Sequence, residues 1–243
     1  MKIGIIGAGN IGGALTRGLR ALGHQVSVAS SRGRAPRSAR PPGSAPQTID
    51  DLARETGATA VTVEEVARGA DVVIVTIPQK NIPGLPADLF KRTPAGTVVV
   101  DTGNYYPRQR DGRIDELEAG MVESRWVERQ LGRPVVKAFN NIQAAHLAER
   151  GRPKGSPGRI ALPVAGDDAA AKAVVMRLVD ELGFDPVDAG GLDESWRQQP
   201  ATPVYTTDLD ANALRRALAS ASRERGPNWR ATENSPGTFS APV

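Results

Sequence analysis

The sequence predicts an α/β fold in which a doubly wound, mostly parallel β-sheet is covered by helices on both faces. Short apolar runs such as 72–75 and 97–100 have the length and continuity of strands buried on both sides. Between them lie stretches of helical periodicity, of which Asn10–Leu22 is the clearest. Hydrophobic residues make up 40% and charged residues 24% of the 243 residues, the composition of an ordinary globular chain. This alternation is typical of a parallel sheet with crossover helices.

The predicted elements follow one another in alternating order along the chain. Strands are predicted where apolar residues run almost without interruption: Lys2–Ile6, Gln25–Ala29, a short strand around Ala58–Thr62, Asp71–Ile77, Thr97–Asp101, Pro134–Phe139, Ile160–Ala165 and Pro186–Ala189. Helices are predicted where apolar residues recur at every third or fourth position: Asn10–Leu22, Ile49–Thr56, Val63–Gly69, Asp168–Leu182 and Asp208–Ala221. Residues 30–47 are rich in Arg, Pro, Gly and Ser, which predicts a surface loop.

A glycine motif joins the first strand to the first helix. The segment Gly7-Ala8-Gly9-Asn10-Ile11-Gly12 matches the pattern G-x-G-x-x-G. Its glycines permit a tight turn, a close approach of a pyrophosphate and close packing of helix on strand, and the helix N-terminus offers unbonded N–H groups. A glycine-rich turn without a ligand is the alternative, which the strand–helix context disfavours. We therefore predict a Rossmann-type site that includes Gly7, Gly9, Asn10, Ile11 and Gly12.

The end of the second strand indicates which dinucleotide is bound. A site for NAD usually has Asp or Glu here to hold the ribose 2′-hydroxyl. This chain has Ser30, Ser31 and Arg32 instead, and the first acidic residue after the strand is Asp50. Hydroxyls and a guanidinium suit a 2′-phosphate, which a carboxylate would repel. A solvated surface arginine is the plainer interpretation of Arg32, but its distance from the glycines favours NADP(H).

Polar residues also follow the later strands, at the edge where ligands of such sheets bind. Contacts to the cofactor are expected from Thr76, Ile77, Pro78, Asn104 and Asn140, and an acceptor pocket is expected at Asn104, Asn140 and Asn141. No catalytic residue is assigned with certainty. Hydride transfer between stacked planar rings requires orientation rather than a strong acid or base, and no histidine or lysine–carboxylate set is recognisable at these strand ends.

Several other residues have two interpretations from the sequence. Tyr105 and Tyr106 either form a wall for a flat ring or pack in a turn. Asp167 is expected to cap the helix that follows it. Lys137 lies within a strand and faces either layer. His24, in a Gly-His turn, and His146, on a short helix after Asn141, are expected to be structural.

Composition restricts the function further. The chain has no cysteine and only two histidines, which excludes disulfides and thiolate metal sites and argues against a multi-histidine site, so no metal is expected. The net charge is +4 and the pI is about 9.7. A local cluster of arginines between 32 and 40 accounts for the excess, and aromatic residues make up only 4%, so no nucleic-acid partner is expected. No apolar run is long enough to span a bilayer, so no membrane partner is expected.

The residues quoted above resemble those of the coenzyme F(420)-dependent NADP oxidoreductases. The resemblance extends over roughly Lys2 to Ala221, and it is carried by the glycine motif, Ser31-Arg32, Thr76-Ile77-Pro78, residues 135–140, residues 164–168 and residues 187–190. It implies that Ser31 and Arg32 hold the 2′-phosphate of NADPH, that the protein is a homodimer, and that hydride is exchanged between NADP(H) and the deazaflavin F(420).

The sequence also departs from the family pattern. Residues 101–107 look like a bacterial branch, and Asn140, Asn141 and Gln143 replace the His, Thr and Pro expected in archaeal members. The same module is the NADPH-binding domain of some membrane ferric reductases that pass electrons to flavin. FMN or FAD is therefore an alternative acceptor to F(420).

Two other functions remain open at this point. One is an NADPH-dependent dehydrogenase or imine reductase of the β-hydroxyacid type, which needs a long helical second domain and an Asn–Lys pair that this chain lacks. The other is a non-enzymatic NADPH sensor.

The sequence also predicts how the chain is organised. An NADP-binding Rossmann domain is predicted at residues 1–143, and a smaller α/β extension at 144–225 continues the sheet with additional strands and ends in a short helical appendage. A flexible tail is predicted at 226–243. A cytoplasmic homodimer acting on a small-molecule redox acceptor is expected.

Overall fold

A computed structural model describes residues 1–31, 48–91 and 93–224. Its main sheet has six parallel strands in the order β3-β2-β1-β4-β5-β6. These strands are β1 (Lys2–Ile6), β2 (Gln25–Ala29), β3 (Thr59–Ala60), β4 (Val72–Val75), β5 (Val98–Asp101) and β6 (Val136–Lys137). The chain reverses its direction of travel across the sheet between β1 and β4, which creates the crevice in which ligands of this fold bind.

Helices cover both faces of the sheet. They are α1 (Asn10–Ala21), α2 (Ile49–Thr56), α3 (Val63–Ala67), α4 (Asp115–Glu118), α5 (Glu123–Leu131), α6 (Ala144–Glu149), α7 (Ala169–Glu181) and α8 (Ala211–Ser220). Side chains alternate along each strand, so Ile74 packs with α1 and α7, whereas Val73 packs with α3 and α5 on the opposite face. None of the described helices has the length and apolarity that crossing a membrane would require.

The C-terminal strands form a separate parallel pair, β7 (Ala161–Val164) and β8 (Asp185–Asp188). This pair joins the main sheet through one antiparallel bridge between Lys137 and Ala165, whose reciprocal N–H to carbonyl distances are 2.8 and 3.0 Å. The helix α8 packs on its own apolar cluster around Val187, Val204 and Leu214. The additional strands therefore extend the architecture beyond β6 with a change of direction.

The predicted α/β class with a mostly parallel, doubly wound sheet is confirmed. The structure differs from the expected elements mainly between 102 and 143. The helix α5 was not predicted, and β6 has only two residues because Phe139 adopts a left-handed φ of 61°, which ends the strand. Arg32, most of the arginine-rich loop and the predicted tail lie outside the described residues, and the division at residue 143 stays a prediction.

Candidate dinucleotide and acceptor site

The glycine motif forms a tight turn at the carboxyl end of β1. Gly7 has a φ of +114°, which side chains of L-residues rarely adopt, and its N–H donates to the carbonyl oxygen of Ala29 at 2.8 Å. A Cβ atom at Gly7 would lie 2.6 Å from Thr76 Oγ1. A Cβ atom at Gly12 would lie only 2.0 Å from the carbonyl oxygen of Gly7. Both positions therefore require glycine for the fold itself.

Thr76 fixes this turn from the neighbouring strand. Its hydroxyl donates to the carbonyl oxygen of Gly7 at 2.9 Å, and its N–H donates to that of Ile6 at 2.8 Å. The next residue, Ile77, is buried, and Pro78 is half-buried. The structure thus brings Thr76 to the predicted cofactor loop, where its observed contact holds the loop in place.

The N-terminus of α1 is open toward a ligand. Its first intrahelical hydrogen bond runs from Gly13 N–H to Gly9 O at 2.7 Å, so the amides of Asn10, Ile11 and Gly12 precede the bonded turns. Gly9 is the N-cap and supplies no side-chain bond to these amides. A Cβ atom at Gly9 would meet no atom of the described residues within 4 Å. Unbonded amides beside open space fit the pyrophosphate of a dinucleotide.

A cleft of about 300 Å³ lies at the end of β2. Its walls include Ser30, Ser31, residues 61–64 and residues 84–86. This is the side of the glycine loop on which the adenosine half of a dinucleotide lies in such sheets. The fold also brings Glu64, an exposed residue in the first turn of α3, to this cleft. Glu64 does not follow β2 directly in the chain, so its presence at this cleft could not be predicted from the residues after β2.

Two of the predicted pocket asparagines bond to each other at the ends of β5 and β6. Asn104 Nδ2 donates to the carbonyl oxygen of Asn140 at 2.8 Å, and Asn140 Nδ2 donates to Asn104 Oδ1 at 2.9 Å. Gln198 completes the network, because its Nε2 donates to Asn140 Oδ1 at 2.9 Å and its carbonyl oxygen accepts from Asn140 Nδ2 at 2.7 Å. All three side chains are buried. This amide network therefore ties two strand ends to the 3₁₀ turn Leu192–Gln198.

Asn141, the third predicted pocket residue, lies outside this amide network. Its side chain is fully buried, and its carbonyl oxygen accepts from Thr206 N–H at 2.7 Å. The segment 199–206 therefore reaches back to the end of β6.

A buried ion pair lies beneath the same edge of the sheet. Lys137 Nζ donates to Asp101 Oδ2 at 3.0 Å, with side chains 0% and 1% exposed. Ser124 Oγ donates to the same oxygen at 2.8 Å, and Lys137 also donates to the carbonyl oxygen of Gly103. A lysine–carboxylate pair is thus present, contrary to the expectation from the strand ends, but it is enclosed. Asp101 and Lys137 are 36 residues apart, and only the β5–β6 register places them side by side.

The two neighbouring tyrosines have different environments. Tyr105 is fully buried, and its hydroxyl donates to Gly112 O at 3.0 Å and accepts from Ile114 N–H at 2.9 Å, so it packs in a turn. Tyr106 is half-buried, and its hydroxyl contacts that of Tyr205 from the segment 199–206. Burial raises the pKa of Tyr106 and of Tyr205.

Comparison with known proteins identifies one family model and two solved structures that this chain resembles. The model of the family described as NADP oxidoreductase, coenzyme F(420)-dependent, matches residues 2–105. A solved hypothetical protein of Sinorhizobium meliloti is 31% identical, with a TM-score of 0.67 over 86% of this chain and 94% of that one. An Arthrobacter sp. FB24 protein described as an F(420)-dependent NADP-reductase is 28% identical, with a TM-score of 0.60 over 79% and 86% of the two chains. Over residues 2–105, which contain β1 to β5, the chain is therefore similar to the coenzyme F(420)-dependent NADP oxidoreductases.

Two further matches are more limited, one in length and the other in identity. Over 74 residues the chain is 51% identical to protein YjhV of Escherichia coli, and the alignment spans 54% of that protein, about half its length, and 30% of this chain. An imine reductase of Myxococcus stipitatus is 17% identical, with a TM-score of 0.54 over 79% of this chain and 55% of that one. At this identity the likeness shows the fold alone.

The two histidines and Asp167 are held by hydrogen bonds or ion pairs to other parts of the chain. His24 Nε2 lies 2.9 Å from Glu181 Oε2, and His146 Nδ1 lies 2.9 Å from Asp208 Oδ2. Asp168, rather than the predicted Asp167, caps α7 by accepting from two N–H groups. Asp167 instead accepts from Leu192 N–H and from an arginine of α5, and these bonds lower its pKa. Among the described residues no cluster of His, Cys, Asp or Glu has the composition of a metal site.

Proposed function

We propose that the protein is an NADP(H)-dependent oxidoreductase that transfers a hydride between NADP(H) and a planar deazaflavin or flavin-type acceptor. The observation that carries this function is the open N-terminus of α1, whose amides face free space at Gly9 within the segment that matches the family model. An anion is favoured there by the helix dipole and by the unbonded N–H groups. The acceptor is a small molecule, and we propose a cytoplasmic homodimer without nucleic-acid or membrane partners.

The chain's own residues bind and orient the two reactants. The cofactor, when bound, supplies a hydride from its nicotinamide ring. Amides at the start of α1 hold the pyrophosphate, and Ser31 with Arg32 holds the 2′-phosphate. The amide network of Asn104, Asn140 and Gln198 keeps the far strand ends rigid. Rigidity is useful here because reacting atoms must be held close to their productive separation.

A second candidate is an NADPH-dependent carbonyl or imine reductase. The fold shared with the imine reductase and the hydroxyl pair of Tyr106 and Tyr205 favour it, since such substrates need a proton as well as a hydride. Turnover assays with NADPH and F(420), FMN, FAD, ferric chelates and simple cyclic imines separate the two functions. Absence of turnover with every acceptor would favour an NADPH sensor instead.

The choice of dinucleotide tests the site directly. We expect NADPH to bind at least about tenfold more tightly than NADH, on the order of 1.4 kcal/mol. Arg32→Ala should weaken NADPH binding and leave NADH binding nearly unchanged, because only NADPH carries the 2′-phosphate. Calorimetric titration of both cofactors measures this difference, with Arg215→Ala on the exposed surface of α8 as the control. Equal losses for both cofactors would show that Arg32 does not bind the 2′-phosphate, and Glu64, which lines the cleft at the end of β2, would then be the residue to examine.

A further inference from the structure

The side chain of Asn141 is an unsatisfied amide at the carboxyl end of the sheet. It is fully buried, and neither Nδ2 nor Oδ1 has a hydrogen-bond partner among the described residues. A buried donor or acceptor without a partner is destabilising, and most buried polar atoms in native proteins avoid that state. The neighbouring Asn140, by contrast, has both its amide nitrogen and its amide oxygen bonded within the amide network. Asn141 therefore retains a donor and an acceptor that no described residue uses, although both are enclosed in this structure.

The backbone around Asn141 is strained. Three non-glycine residues among those described have positive φ: Phe139 at 61°, Ala201 at 69° and Thr206 at 55°. Phe139 lies two residues before Asn141, and Thr206 donates its N–H to Asn141 O at 2.7 Å. Such conformations are unfavourable for L-residues and tend to persist at functional sites. The strained residues therefore lie on the two segments that this backbone hydrogen bond joins.

The place of Asn141 in the fold indicates which part of a dinucleotide it meets. Ile142, the next residue, packs in the same apolar cluster as Ile11 and Leu15 of α1. With a pyrophosphate on α1 and the adenosine at β2, the nicotinamide half lies toward β4, β5 and β6. The nicotinamide bears a primary carboxamide, which offers one acceptor and one donor in a plane, as an asparagine side chain does.

We propose that Asn141 recognises the carboxamide of the NADP(H) nicotinamide through a reciprocal pair of amide hydrogen bonds. This role rests on the proposed function, because it requires NADP(H) at the glycine loop. It fixes which face of the nicotinamide is presented to the acceptor. Because Asn141 is fully buried in this structure, entry of the carboxamide requires a local movement. Segment 199–206 bonds to the Asn141 carbonyl oxygen through Thr206 and carries the strained Ala201 and Thr206.

Binding measurements with three ligands test this role. The ligands are NADP⁺, its 3-acetylpyridine analogue, in which a methyl ketone replaces the carboxamide, and 2′,5′-ADP, which lacks the nicotinamide. The wild-type protein should bind NADP⁺ about tenfold or more tightly than the analogue, because the ketone supplies no donor. Asn141→Leu should lose about tenfold in NADP⁺ affinity, bind the two dinucleotides equally and keep its affinity for 2′,5′-ADP.

Two variants control for damage to the fold. Asn141→Leu removes an unsatisfied buried amide, so its thermal midpoint should equal or exceed that of the wild type. Asn141→Asp keeps the shape but loses the donor, and it should also weaken NADP⁺ selectively. Asn212→Leu, which removes an exposed amide on α8, should change none of the three affinities.

The outcomes separate this role from the proposed function. Wild-type protein that binds NADP⁺ and the analogue equally, or variants that keep full NADP⁺ affinity, would overturn the assignment of Asn141 and leave the NADP(H) site standing. An unchanged NADP⁺ affinity would also be the result if the amide holds only an internal water or contacts only the acceptor. Failure of the wild-type protein to bind 2′,5′-ADP would instead remove the proposed function together with this role.

Discussion

At the residue scale, the three glycines of the loop have three different physical roles. Gly7 needs its positive φ, and Gly12 needs the absence of a Cβ because the carbonyl oxygen of Gly7 is too close. Gly9 needs neither, since its φ is −72° and its Cβ position is open. The structure gives no internal reason for glycine at position 9. We therefore attribute the glycine at position 9 to the space that a bound ligand needs.

Replacing Gly9 by valine should therefore separate binding from folding. Gly9→Val should retain a thermal midpoint close to the wild type, because nothing lies within 4 Å of the new Cβ atom. It should lose binding of NADPH and NADH alike, by about a hundredfold or more, because the side chain fills the space of the pyrophosphate. Calorimetry and thermal denaturation on the same sample measure both properties.

Gly12→Ala is the matched control. Its Cβ would lie 2.0 Å from a backbone oxygen, so it should lower the thermal midpoint before any ligand is added. A folded Gly9→Val protein with wild-type affinity for NADPH would show that the pyrophosphate lies elsewhere.

The sequence predicted where polar residues gather but could not predict which of them are already bonded. Asn104, Asn140 and Asn141 all follow predicted strands, and parallel strands end at the same edge of a sheet. Whether an amide is free depends on a partner such as Gln198, which is 58 residues from Asn140 along the chain. The Lys137–Asp101 pair was missed for the same reason, since only strand register shows that the two side chains share a face.

At the element scale, the segment 199–206 is the least predictable part of the site. It has no helical or strand periodicity, and its position depends on long-range contacts to β6 and to Tyr106. The helices α1, α2 and α7 were predicted almost to the residue from the periodic spacing of their apolar residues. In the structure α2 begins after the N-cap Thr48 and α7 after the N-cap Asp168. Segment 199–206 carries no such local signal.

The contact between Tyr106 and Tyr205 should make the protein sensitive to alkali. Burial raises the pKa of both hydroxyls above the value of about 10 in an unfolded chain. Their contribution to stability is therefore complete below pH about 10 and is lost as the pH rises further, because the unfolded chain releases the protons first. Tyr106→Phe should lose less stability than the wild type between pH about 9 and about 11.

Urea denaturation at several alkaline pH values measures this difference. Asn212→Leu serves as the control, because it leaves every tyrosine in place, and it should follow the wild-type profile. Parallel decline of the wild type and Tyr106→Phe would mean that the hydroxyl contact does not hold segment 199–206.

At the scale of the whole molecule, the Rossmann half was more predictable than the C-terminal half. Strand order follows from the alternation of strands and helices, since crossovers between parallel strands have one favoured hand. The antiparallel bridge between Lys137 and Ala165 lies next to the left-handed Phe139, and no sequence pattern signals a positive φ at a phenylalanine. The side of the site that faces the acceptor is built from that turn, so the acceptor is less predictable than the cofactor.

Direct hydride transfer predicts how the rate depends on pH and on isotope. Both histidines are paired with carboxylates, the Lys137–Asp101 pair is enclosed, and the raised pKa values of Tyr106 and Tyr205 keep their hydroxyls protonated near neutrality. With a flavin-type acceptor we expect turnover to vary little between pH about 6 and about 8, since hydride transfer between stacked rings depends on orientation rather than on a protein acid or base. NADPH deuterated at the transferred C4 position should give a primary isotope effect if hydride transfer limits the rate.

The variant His146→Gln is the control for a missed catalytic acid. It should leave the pH profile of turnover unchanged, because the His146 ring is already held by Asp208. A steep loss of rate across one ionisation in this range, abolished by His146→Gln, would identify that histidine as a catalytic acid and favour a carbonyl or imine substrate.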